Sequence, residues 1–177
     1  VNIAHGDIII LGAYLGLTTT SILGIHPLMS LVVVVPLMAL LGYCLQRGIL
    51  NSTLGDDLLP PLLVTFGLSV ILQNSLLELY SADPQKLNAG IIETASIKVG
   101  SLAIGVLPIL MFFTAISIVA GLQFIFYRTA LGRAFRAVSD NQDVAQLMGL
   151  NKRHIFGLAM ALSLAVTAVA GIFLGIR

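Results

Sequence analysis

The sequence predicts an all-α fold, a polytopic transmembrane helical bundle, on three observations. Of the 177 residues, 58% are hydrophobic and 10% are charged, where an ordinary soluble domain carries about 25% charged residues. The apolar residues gather into long runs of about 20, the length that crosses a bilayer core of about 30 Å. Lys and Arg cluster: five of the nine, Arg128, Arg133, Arg136, Lys152 and Arg153, lie in residues 127–154, against only Asp140 and Asp143. A short loop this basic is held on the cytoplasmic side of a membrane. The net charge of +1, with the basic residues confined to loops, leaves no face that would attract nucleic acid.

The runs predict membrane segments at Ile8–Gly24, Pro27–Gln46, Leu58–Tyr80, Ser101–Phe126 and Ile155–Ile176. Helix is the required form, because backbone polar groups in lipid must be satisfied within the segment. The runs lack the alternation of a transmembrane barrel strand. Pro27 and Pro60–Pro61 fit first helical turns, whereas Pro36 and Pro108 fall inside segments and are expected to kink them. Cys44, the lone cysteine, permits no internal disulfide and is expected to be a small buried hydrophobe. With 127–154 in the cytoplasm, alternation places 81–100 outside. Residues 47–57, with Arg47, Asp56 and Asp57, fall inside, the Ile25–His26 link outside, and Val1–Asp7 on or near the cytoplasmic side. Val1 is not a start methionine, no signal peptide is visible, and Arg177 follows an apolar run directly. A single transmembrane domain over 1–177, cut at both ends, is therefore expected. No internal repeat is evident.

Polar residues within the apolar runs are the candidates for function. Thr65, Ser69 and Gln73 recur at four-residue spacing, which keeps them on one helical face, with Asn74 beside them. They form either a polar lining for a solute or interhelical hydrogen bonds, worth about 1 kcal/mol each in membranes. Two adjacent amides in an apolar segment need partners in either case. Glu78 is expected to reach the membrane interface. Asn2, His5 and Asp7 precede the first run and form either a cytoplasmic vestibule or a polar helix start. Gly12/Gly16 and Gly171/Gly175 are small-residue pairs that let helices approach closely. No metal-ligand spacing is present, and no nucleophile–base pair that would make the chain an enzyme. No phosphate-binding glycine loop is present either, so any nucleotide-driven step belongs to another chain.

Four stretches resemble the permease subunits of branched-chain amino acid ABC transporters. Asn2-Ile3-Ala4-His5-Gly6-Asp7 with Leu11-Gly12-Ala13-Tyr14 looks like that family's N-x-A-H-G-E…GAY opening. Thr65-Phe66-Gly67-Leu68-Ser69 with Leu72-Gln73-Asn74 is similar to its T-x-G-L-S…LQN helix. Leu131-Gly132-Arg133-Ala134-Phe135-Arg136-Ala137 through Ala145, Gly149, Leu150 and Asn151 looks like its cytoplasmic coupling loop. Ala168 to Gly175 is similar to its AxAGxLxG helix. The departures are Asp7 for Glu, Gln46 before Arg47 where an acidic residue is common, and Asp143-Val144 for Glu-Ala. Members of the family are longer, so a first helix and several C-terminal helices are expected beyond this chain.

The resemblance implies an ATP-driven importer of branched-chain amino acids working by alternating access in the bacterial cytoplasmic (inner) membrane. The chain would bind no cofactor; cytoplasmic ATP-binding subunits would use the ATP. A second permease subunit would complete the pathway, and an extracytoplasmic solute-binding protein would deliver the solute. Thr65, Ser69, Gln73, Asn74, His5 and Asp7 would line the pathway. Arg133, Arg136, Asp143, Ala145, Gly149 and Lys152 would form the ATPase-coupling loop, with Ala145 and Gly149 small so that it seats in a groove on the partner. The alternatives are an ABC permease for urea, short amides or sugars, an ion-coupled carrier, and a structural membrane subunit. An ion-coupled carrier would place ionisable groups deep in the membrane, whereas Asp7 and Glu78 are expected near segment ends.

Overall fold

The computed structural model describes residues 2–53, 59–81, 83, 85–99 and 102–177. Its helices are α1 (His5–Leu23), α2 (Pro27–Gly48), α3 (Leu59–Tyr80), α4 (Ile91–Thr94), α5 (Val106–Arg128), α6 (Ala130–Asp140), α7 (Gln142–Leu147) and α8 (Lys152–Ile176). A 3-10 turn, Leu50–Ser52, follows α2, and strands β1 (Ser96–Val99) and β2 (Leu102–Gly105) precede α5. Helices α1, α2, α3, α5 and α8 are each long and apolar enough to cross a membrane. The chain is a multi-pass membrane protein of helical class. The expected starts at Leu58 and Ser101 lie outside the described residues, as do Asp56 and Asp57.

The fourth membrane helix begins later than expected. Strands β1 and β2 pair antiparallel, Ser96 with Gly105 and Ile97 with Ile104. Pro108 supplies the reason. A helix already running through 104 would drive the proline ring into the carbonyl of Ile104. Starting at Val106 puts Pro108 in the first turn, where its missing N–H costs no bond, so it does not kink the helix. Pro27 opens α2, while α2 continues through Pro36. Cys44 is exposed on the surface of α2, not buried as expected.

Helices α1, α2 and α8 form the centre of the bundle. Ile8, Val34, Met38, Leu164, Ala168 and Ile172 are fully buried there. Small residues set the spacing, as the sequence predicts for α1 and α8. A Cβ on Gly171 would lie 2.4 Å from the Ile9 carbonyl oxygen, and one on Gly12 would lie 3.3 Å from the Ala168 Cα. The α2–α8 contact uses two glycines that no sequence motif marks. A Cβ on Gly42 would lie 2.8 Å from the Met160 carbonyl oxygen, and one on Gly157 would lie 2.8 Å from the Tyr43 ring. Dispersion between closely approaching backbones drives such packing in lipid, where no hydrophobic effect acts between helices.

Candidate functional site

Helices α1 and α3 meet along a polar ladder. The Ile3 N–H donates to Thr65 Oγ1 at 3.4 Å. The Ser69 hydroxyl donates to Asp7 Oδ2, and the Gln73 amide donates to Asp7 Oδ1 at 3.0 Å. Further along, Thr18 Oγ1 lies 2.5 Å from the Tyr80 hydroxyl, and the Tyr14 and Tyr80 rings stack with centroids 4.3 Å apart. The pairs 3/65, 7/69 and 18/80 share one offset of 62 residues, so the two helices run parallel in register. Four-residue spacing puts Thr65, Ser69 and Gln73 on the face that meets α1.

This register sets the partners of Asp7. The residue is in the first turn of α1, yet its partners Ser69 and Gln73 lie in the middle of α3. Asp7 thus lies at the start of its own span, as expected, while its carboxylate meets the middle of α3. No Lys, Arg or His pairs with it among the described residues. Ser69 is 6% exposed and Thr65 2%, whereas Asp7 is half-buried and Gln73 is exposed. The ladder is thus open to one side at the level of the carboxylate.

The other two expected pathway residues stand apart from this group. His5 lines a cavity of about 360 Å³ between α1, α5 and α8, with Ile9, Leu122, Phe126, Ser163 and Thr167. The Asn74 amide donates to the Val70 carbonyl of its own helix at 2.7 Å and is exposed. Of the residues that extend the ladder, Tyr14 stands in the sequence only as part of the GAY stretch, and Thr18 and Tyr80 carry no sequence signal. Their signal is the constant offset between two helices, which exists only in the fold. Among the described residues no cluster of His, Cys, Asp or Glu is placed to hold a metal.

The basic end of the bundle carries the second region. Thr129 caps α6, its hydroxyl accepting from the Gly132 N–H at 3.2 Å. Gly132 lies so close to the end of α5 that a Cβ would be 2.1 Å from the Phe126 carbonyl oxygen. Arg136 donates to that same carbonyl and stacks over the Tyr127 ring at 5.6 Å, bracing α6 against α5. Phe135, Val138, Ala145 and Ile155 form a small core beneath α6 and α7. Asn141 caps α7, accepting at 3.0 Å from the N–H groups of Asp143 and Val144.

The end of α7 explains Ala145 and Gly149. The Leu150 N–H donates to the Ala145 carbonyl and the Gly149 N–H to the Gln146 carbonyl, each at 3.0 Å. Gly149 has φ +85°. This is the glycine-terminated helix cap in which the residue after the last turn is left-handed. Ala145 is 2% exposed, within the chain's own core. Both residues therefore have internal reasons to be small. The apolar side chains presented outward are Val144, Leu147 and Met148, at 51%, 88% and 79% exposure. Arg133 and Asp143 are exposed and Lys152 is half-buried.

A polar network fixes the same end. Tyr43 OH lies 2.8 Å from His154 Nδ1, and Arg47 donates to Tyr43 OH at 2.7 Å. Gln46 donates to Asn51 Oδ1, and Asn51 in turn to the Arg153 carbonyl, each at 3.2 Å. A neutral amide at position 46 thus serves as an internal tie between α2 and the start of α8.

At the opposite end, residues 85–93 fold over the bundle. Leu87 is 2% exposed and seats against Gly16 and Gly175, while its N–H donates to the Gly175 carbonyl at 2.8 Å. Glu93 accepts from the Ala89 N–H at 2.5 Å and pairs with Lys86 at 2.9 Å. The Ala89 N–H first, and the Lys86 ammonium second, hold the Glu93 carboxyl below its usual range.

Residues 1–177 match the family model described as the permease component of branched-chain amino acid transport systems. The chain is 28% identical to the high-affinity branched-chain amino acid transport system permease protein BraD of Pseudomonas aeruginosa, over 100% of this chain and 61% of that protein. It is 27% identical to the permease protein LivH of Salmonella typhimurium, over 99% of this chain and 60% of that protein. It is 26% identical to a probable LivH of Methanocaldococcus jannaschii, over 96% of this chain and 55% of that protein. The chain thus spans less than two thirds of the length of these curated relatives, and no solved structure matches it. A match along the whole chain, on a five-span helical bundle, places it: the chain belongs to the family of permease components of branched-chain amino acid transport systems.

Proposed function

We propose that this chain is part of a membrane-spanning permease subunit of an ATP-driven ABC importer that moves branched-chain amino acids by alternating access. The observation that carries this reading is the α6–α7 unit. It lies within the basic stretch 127–154 between two membrane-length helices, is packed on its own core, and presents Val144, Leu147 and Met148 outward. A rigid unit with an exposed apolar tip is suited to receive a push from a soluble partner. Residues 127–154 act as the coupling loop within a single permease domain, on the cytoplasmic side of the bacterial inner membrane. Cytoplasmic ATP-binding subunits drive it. Arg133, Asp143 and Lys152 offer charge to them, while Arg136, Ala145 and Gly149 hold the unit's shape. Helices α5 and α8 carry the movement into the membrane. A second permease subunit completes the pathway, and an extracytoplasmic solute-binding protein delivers the solute. Asp7, Thr65, Ser69 and Gln73 line the pathway, and the names of the relatives support an amino-acid solute.

The test uses the full-length protein in liposomes with its candidate ATPases and binding protein, measuring uptake of labelled leucine. ATP-dependent uptake competed by valine and isoleucine is expected. Competition only by urea or a sugar would keep the mechanism and change the solute. Uptake that follows an ion gradient and ignores ATP would overturn the reading.

A further inference from the structure

The Asp7 carboxylate is only partly satisfied. Each of its oxygens accepts one hydrogen bond, from Ser69 and from Gln73, although a carboxylate offers about four acceptor positions. Both donors are neutral, and no cation pairs with Asp7 among the described residues. An ionised carboxylate within a membrane-spanning bundle is costly unless something pairs with it. Beside it, the Gln73 Oε1 accepts no hydrogen bond among the described residues. The opening therefore presents acceptors around a negative charge and no positive one. Phe66 and Val70 lie seven and three residues before Gln73 on its helical face, and Ile10 lies one turn beyond Asp7. All three are exposed, at 56%, 42% and 42%. An acceptor cluster with one net negative charge, set among exposed apolar side chains, matches a primary ammonium attached to an apolar group.

We infer that Asp7, oriented by Ser69 and Gln73, is the group that binds the α-ammonium of the amino acid as it passes through the permease. The inference rests on the importer reading and gives its solute a chemical contact. The ammonium's three N–H donors meet Asp7 Oδ1, Asp7 Oδ2 and Gln73 Oε1 in charge-assisted hydrogen bonds. The apolar side chain lies toward Phe66, Val70 and Ile10. Such a contact selects for the amino group common to leucine, isoleucine and valine and is indifferent to side-chain branching.

The experiment compares the wild-type full-length transporter with Asp7→Asn and Asp7→Glu in liposomes, with leucine-loaded binding protein and ATP. Subunit stoichiometry and ATP hydrolysis are followed alongside leucine uptake. The expected result is a loss of uptake of about tenfold or more in Asp7→Asn, the scale of a lost charge-assisted contact. Asp7→Glu should restore uptake to within a few-fold of the wild type. Wild-type uptake in Asp7→Asn would overturn the inference. Loss in both variants from an assembled, ATP-hydrolysing complex would overturn it too, because shape and not charge would then matter. If Asp7→Asn does not assemble, the pair Ser69→Ala with Gln73→Met takes its place. That pair keeps the charge and removes its positioning donors; a raised apparent KM is expected, and an unchanged KM would overturn the inference. Absence of leucine uptake in the wild type would instead refute the importer reading, which separates the two failures.

Discussion

At Gly132 a single missing methyl group decides whether α5 and α6 can join. The positions a Cβ would occupy, 2.1 Å from the Phe126 carbonyl oxygen and 2.4 Å from that of Ile125, are bounded by backbone, which cannot swing aside as a side-chain tip can. Gly132→Ala should therefore destabilise the folded protein by about 1–3 kcal/mol or more, as overpacking does. Gly121 in α5 has nothing within 4 Å of a Cβ. Gly121→Ala should be neutral or stabilising by up to about 1 kcal/mol, because alanine has the higher helix propensity. Thermal unfolding of the two variants of the full-length protein in detergent checks the contrast. Equal melting temperatures would refute the steric account. Glu93 makes a different single-residue prediction. Its folded carboxyl titrates below the usual value of 4.5, so the bonds it makes to Ala89 and Lys86 are fully present above that pH. They are lost as pH falls through the lower folded value. A spin label at Asn88 should keep constant mobility from pH 7 to 5 and become mobile only below 4.5. In Glu93→Gln it should be mobile throughout.

Among the elements, α7 shows how a short helix is made rigid without length. Six residues are too few for a helix to hold itself, so both ends are fixed from outside, by the Asn141 side chain and by the left-handed Gly149. Any L-residue at φ +85° is strained, and Gly149→Ala should weaken the α7 cap by about 1–2 kcal/mol. Hydrogen exchange at Leu150 and Gly149 should accelerate, while α8 stays protected. The exposed tip gives the functional counterpart. Leu147→Ser with Met148→Ser should leave folding unchanged and lower leucine-coupled ATP hydrolysis several-fold. The membrane elements were legible in the sequence because composition alone dictates them. The strand pair before α5 was not, since Leu102, Ala103 and Ile104 read as a continuation of the apolar run. Only the clash between Pro108 and Ile104 forbids helix there. Ser69 and Gln73 stood out by spacing. Their pairing with Asp7 did not, because the register between α1 and α3 is a tertiary property that no local pattern encodes.

For the whole molecule, the distribution of close backbone contacts divides the bundle into a rigid centre and more loosely held flanks. Helix α8 meets both α1 and α2 through glycines on each partner, while α3 meets α1 through side chains, the Asp7 cluster and the tyrosine stack among them. Helix α5 buries only Leu107, near its start. Coupling over a distance needs a body that moves as a unit and a second that moves against it. The glycine contacts supply the first, and the side-chain contacts permit the second. The division makes a paired prediction. A Cβ on Gly171 would meet the Ile9 carbonyl oxygen at 2.4 Å and the Ala13 nitrogen at 2.9 Å, whereas one on Gly67 in α3 would meet nothing within 4 Å. Gly171→Ala must therefore push α1 from α8 and should cost about 1–3 kcal/mol or more, seen as a lower melting temperature and loss of the monodisperse species in detergent. Gly67→Ala should leave the melting temperature unchanged or raise it slightly, with transport intact. If Gly171→Ala were as stable as the wild type, the α1–α8 crossing could yield. The rigid body on which the proposed transmission from α6–α7 to the Asp7 cluster depends would then not exist.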